Sequence, residues 1–70
     1  MTEEILKNWF CYHAPEGDDL AKYAAIRKAA HEYAQVVNAN CPESADKTHA
    51  IRIIRDSAMW ANASVACKGR

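Results

Sequence analysis

The stretch Asn38-Ala39-Asn40-Cys41-Pro42-Glu43-Ser44-Ala45-Asp46, NANCPESAD, separates two long segments of helix-forming residues and decides how the chain folds. Asn38 or Asn40 can close a preceding helix, because asparagine tolerates the left-handed conformation of a helix end. Pro42 resists continuing that helix and can instead open the next one at its first turn, with Ser44 as an alternative cap. A connection this short makes the flanking helices antiparallel neighbours.

Upstream, the sequence predicts a helix from about Asp19 to Ala39, capped by Asp18 and free of proline and glycine. Tyr23, Ile26, Ala30, Tyr33 and Val37 fall at alternating spacings of three and four, which lays a seam along one face. Downstream, a third helix runs to about Ala66 and repeats the seam with Ile51, Ile54, Ala58, Ala61 and Val65. The alternation Ile51-Arg52-Ile53 is too brief to argue for a strand inside that window. A second, semi-apolar row, Ala50, Ile53, Ser57, Trp60 and Ser64, flanks the third-helix seam. One helical partner cannot cover both rows, so the hairpin is expected to dock on copies of itself. At the N-terminus, Thr2 caps a short helix from Glu3 to about Trp9 or Phe10, and Pro15 with Gly17 makes the segment after it a loop. The expected architecture is all-α: one domain over residues 1–70, a short N-terminal helix plus a long antiparallel two-helix hairpin, assembled as a homo-oligomer.

Composition leads to the same need for a partner. Fourteen residues are alanine, whereas leucine, isoleucine, valine and phenylalanine together number eleven. Alanine lets helices approach closely but buries little area, so a 70-residue protomer has a thin core. Three cysteines is an odd number, and MTEEILKNW is too polar for a secretory signal. The reading is a reducing-compartment protein without disulfides. No apolar run reaches membrane-spanning length, which argues against a membrane partner. The formal net charge of zero argues against a general DNA or RNA binder, which carries a basic excess.

The segment FCYHAPEGDD (Phe10–Asp19) holds the most varied chemistry. Cys11-x-His13 has ligand-capable atoms but lacks the paired spacings of structural zinc sites, so no metal is expected and the cysteines read as small buried hydrophobes. Nothing marks an oxyanion hole or an orienting third group beside Cys11 and His13, so no catalysis and no cofactor are expected. Tyr12 can stack on a nucleobase, or it can simply close the apolar end of the hairpin with Phe10. Arg27 and Lys28, with His31 one turn on, form a basic patch suited to phosphate. The plainer alternative is a solvated face with Lys28–Glu32 as an i,i+4 pair; Arg52 and Arg55 carry the same ambiguity, with Arg52–Asp56 as the plain pair. Trp60 reads as core or subunit interface, and spacing does not decide the role of Asn62.

Four motifs in order carry a resemblance: F-x-Y-H-x-P-x-G-D (Phe10 to Asp18), Y-x-x-I-R (Tyr23 to Arg27), C-P-x-S (Cys41 to Ser44) and W-A-N-A-S-V-A (Trp60 to Ala66). Over nearly the whole chain, these resemble the phage anti-CBASS cyclic-oligonucleotide sponges, whose hairpin domain is shared with the anti-Thoeris sponges. The resemblance implies a helical homohexamer in the host bacterial cytoplasm that sequesters cyclic dinucleotide and trinucleotide messengers without cleaving them. It implies dinucleotide pockets between protomers and a separate trinucleotide pocket near the three-fold axis. It makes Tyr12 the stacking residue and Arg27 the phosphate contact, with Lys28 as the neighbour one register away, and gives His13 and Pro15 the shaping of the pocket. Trinucleotide binders of the family carry an arginine directly after this last motif. Here Cys67 stands in that place and Lys68 follows, so the resemblance favours dinucleotides over trinucleotides as ligands. Trp9, where a basic residue often precedes the phenylalanine, is a second departure. The competing reading is a helical interaction module whose apolar rows dock on a host protein.

Overall fold

A computed structural model describes residues 1–70 as three helices and no strand: α1 (Glu3–Phe10), α2 (Asp19–Asn40) and α3 (Ala45–Ala66). The helix starts follow from local chemistry. Thr2 is extended, and its hydroxyl accepts the Ile5 N–H at 3.2 Å; Ser44 does the same for Lys47 N–H at 3.1 Å. Ser44 therefore caps α3, and Pro42 stays outside it. At the end of α2 the Asn40 side-chain amide donates to the Val36 carbonyl at 2.7 Å, satisfying one of the last-turn acceptors.

Asp18 corrects one expectation. It occupies the cap position of α2, but its backbone (φ −95°, ψ 15°) is not extended and its side chain caps nothing. Its carboxylate pairs instead with Lys22 at 3.2 Å, one turn on. The turn is closed by a reciprocal exchange: Asp19 Oδ2 accepts the Glu16 N–H at 3.1 Å, and Glu16 O accepts the Asp19 N–H at 3.0 Å. Gly17 sits between them at φ +56°, a conformation that side chains with a Cβ adopt only at a cost.

Two helices of 22 residues, each about 33 Å long at 1.5 Å per residue, pack against one another along the predicted seam. Ile54, at 9% exposure, is the one buried apolar residue; Ile51, Ala58, Ala61 and Val65 on α3 and Tyr23, Ile26, Ala30 and Val37 on α2 are half-buried around it. Tyr33 departs from the seam and is exposed, because its ring extends past the alanine-lined interface to the rim. Phe10, Tyr12, Leu20, Met59 and Trp60 are also exposed, with Trp60 at 75%.

The protomer is thus a flat hairpin with extents of 45 × 27 × 15 Å. Its radius of gyration is 15.2 Å, against about 11 Å for a compact chain of its length. Its accessible surface is 5,722 Å², where a compact monomer of its mass exposes about 4,400 Å². The excess is largely side chains that a globular fold would bury, the physical form of the thin core read from composition. The cysteines are a second correction: Cys11 and Cys41 are exposed and only Cys67 is half-buried. Each is the residue just past a helix end, where the chain turns away from the seam, so small size does not bring burial.

Candidate functional site

The loop that carries Tyr12 is held by its two neighbours in space, α1 and the end of α3. Asn8 Nδ2 donates to Cys67 O at 3.2 Å, and Trp9 Nε1 donates to Arg70 O at 2.8 Å. His13 Nε2 hydrogen-bonds to Asn8 O; a carbonyl only accepts, so Nε2 carries the proton. The Cys11 and Cys67 thiols point at the same carbonyl, each 3.8 Å away. Lys68 Nζ reaches Glu16 Oε1 at 2.9 Å, tying the C-terminal turn to the loop. The hydrogen bond to Glu16, then its negative charge, raises the Lys68 pKa above the ordinary lysine value.

Lys68 has φ +57° and Gly69 φ +75°. Gly69 N–H bonds to Ser64 O at 2.9 Å and Lys68 N–H to Val65 O at 3.2 Å, the paired bonds of a Schellman helix end. Lysine therefore occupies the left-handed position where glycine is usual, and this turn aims its side chain at Glu16.

Within this frame the candidate residues take distinct places. Tyr12 is 86% exposed, held out by the loop rather than closing the end of the hairpin. His13 is half-buried against Asn8, bracing the loop, while Pro15 is exposed on it. Lys28 is exposed and lies 4.0 Å from Glu32, the plain i,i+4 arrangement. Arg27 instead lines two grooves beside Asn62 and forms no ion pair. Tyr12 lines neither of these, and Arg27 lies eight residues, about 12 Å, along α2 from its start. The structure thus brings His13 and Lys68 to the loop and sets Arg27 on the hairpin face, away from Tyr12 of the same protomer.

Two grooves flank the α2–α3 seam. One, of about 610 Å³, is apolar apart from Ser57, with Tyr33 and Ile53 in its walls. The other, of about 320 Å³, has Arg27 and His31 on α2 facing Arg55, Met59 and Asn62 on α3. Asn62 Oδ1 there is buried with no hydrogen-bond partner. The sequence leaves Arg55 as ambiguous as Arg52 and the role of Asn62 undecided, although Arg27/His31 (i, i+4) and Arg55/Asn62 (i, i+7) each share a helix side. Arg52, three residues before Arg55, lies on a different surface with Ser44 and His49 and makes no pair with Asp56. No helix is long and apolar enough to cross a membrane.

No curated protein and no solved structure matches the chain. A family model does: the Acb2/Tad1 hairpin domain, over residues 2–66, which takes in all three helices and the Tyr12 loop. The chain therefore belongs to the Acb2/Tad1 hairpin-domain family of anti-CBASS and anti-Thoeris sponges.

Proposed function

We propose that residues 1–70 form one sponge unit that assembles into a homohexamer and sequesters cyclic dinucleotides in the host bacterial cytoplasm, without cleaving them. The observation that carries this reading is the state of Tyr12: a large aromatic held 86% exposed on a loop pinned at both sides. A ring presented this way offers a stacking face on backbone that is already ordered, and base stacking contributes about 1–3 kcal/mol. The phosphate side falls to Arg27, which has no carboxylate partner, in preference to Lys28, which has Glu32. Because Arg27 lies along the hairpin from Tyr12 of its own chain, the pocket is drawn between protomers, Tyr12 from one meeting Arg27 from another. Pro15 and His13 shape its loop wall. Cys67 stands where trinucleotide binders of the family carry arginine, and the neighbouring Lys68 is paired with Glu16, which favours dinucleotides as the principal ligand.

Two measurements test this. Protein loaded with a cyclic dinucleotide and then heat-denatured should release the ring intact; recovery of linear dinucleotide would replace the sponge by a phosphodiesterase. In calorimetry, Tyr12→Ala should weaken binding by about ten-fold or more. The exposed apolar groove supports the alternative, a module that docks on a host protein, and absence of any heat with the wild type would favour it.

A further inference from the structure

Arg27, His31 and Arg55 stand on opposite walls of one groove, with no acidic residue paired to either arginine. Both arginines are exposed and lack a counter-charge, so an anion entering the groove finds two unpaired guanidinium partners. The floor is small and apolar, with Ala30, Ala34 and Ala58 letting a ligand approach the helix backbones. The groove, at about 320 Å³, is at the small end of small-molecule sites. At its end Asn62 Oδ1 is buried without a hydrogen-bond partner in the protomer, an unfavourable arrangement that an incoming N–H would relieve once the amide turns toward the groove.

We infer that the basic groove between α2 and α3 is a phosphodiester–nucleobase subsite in which Arg55 shares the phosphate with Arg27, and Asn62 Oδ1 accepts a base N–H. This rests on the sponge reading and extends it from one phosphate contact on α2 to a site spanning both long helices. Arginine suits the task because its planar fork grips two phosphate oxygens at once. The amide carbonyl adds a requirement that free phosphate cannot meet, an N–H donor beside the phosphate, as the amino or imino edge of a purine supplies.

The test is calorimetric titration of 3′,3′-cyclic GMP–AMP into wild type, Arg55→Ala, Asn62→Leu and Arg52→Ala, with assembly mass measured in parallel by native mass spectrometry. Arg55 is exposed, so its truncation spares the fold. Arg55→Ala should weaken binding about ten-fold or more at unchanged assembly mass. Arg52→Ala, an unpaired arginine of the same helix outside the groove, should stay within about two-fold. Asn62→Leu should raise the melting temperature while lowering affinity, because it removes a desolvated carbonyl together with its acceptor function; a purely structural role would move both the other way. Wild type that binds with Arg55→Ala unchanged overturns the subsite and leaves the sponge standing. Dissociation of Arg55→Ala into smaller species overturns it too, by making the groove a subunit contact. A wild type that does not bind overturns both readings.

Discussion

The two grooves beside the α2–α3 seam share a floor of Ala30, Ile54 and Ala58, and their walls are opposite in kind. Tyr33 and Ile53 line one side; Arg27, His31, Arg55 and Asn62 line the other. An apolar wall gains by meeting another apolar wall and excluding water. A wall of unpaired cations loses by the same encounter, since desolvating an ion without a partner is costly. One thin hairpin can therefore assign self-association to one side and anion binding to the other. The proposed division of labour would follow from a two-residue step around α3: Ile53 lines one groove and Arg55 the other.

The contrast can be tested at the shared floor, with the largest effect. Ile54→Ala should destabilise the fold by about 3 kcal/mol, because it truncates the one buried apolar side chain, and chemical denaturation should show both assembly and binding lost together. Ile53→Asp should separate the sides. Placing a charge on the apolar wall should weaken self-association by at least about 2 kcal/mol while circular dichroism still reports helix, readable by sedimentation. Arg27→Ala is the converse, leaving the assembly intact and costing about 1.5 kcal/mol in cyclic dinucleotide affinity. If Ile53→Asp left the mass unchanged, or Arg27→Ala altered it, the assignment of the two sides would be reversed or void.

Variants in the loop lie outside both grooves and serve as controls. Gly17→Ala meets no steric obstacle, yet forces alanine to φ +56°, and should lower stability by about 1 kcal/mol without changing the number of subunits in the assembly. The Lys68–Glu16 tie should contribute least and has a definite pH signature. The Lys68 pKa is raised above 10.5 in the folded chain, so its contribution is fully present below pH 10.5 and is lost as pH climbs through the higher folded value. The stability difference between wild type and Lys68→Met should be constant at neutral pH and vanish in that alkaline window.

The architecture was legible because its causes are local. The three-and-four spacing of Ile51, Ile54, Ala58 and Ala61, the Ser44 cap and the short break together leave little choice but a hairpin. The motif order also led to the correct family. The site was less legible. The i,i+4 spacing already offers Glu32 to Lys28, but only the packing of α3 places Asn62 and Arg55 opposite Arg27. The cysteines misled because small size favours burial only where the chain faces a core, and each of these lies just past a helix end. Nor does anything in HAPEGDD announce that Asp19, rather than Asp18, closes the turn; the difference lies in the backbone angles that Gly17 permits.

The clasp around the Tyr12 loop relies on side-chain donors and main-chain acceptors: Asn8, Trp9 and His13 give hydrogen bonds, and the carbonyls of Cys67, Arg70 and Asn8 receive them. Carbonyls belong to every residue type. Substitution at position 67 or 70 can therefore change the side chain and keep the same acceptor in place. Mutational freedom is concentrated on the receiving end of the clasp, and the cost of change on the giving end.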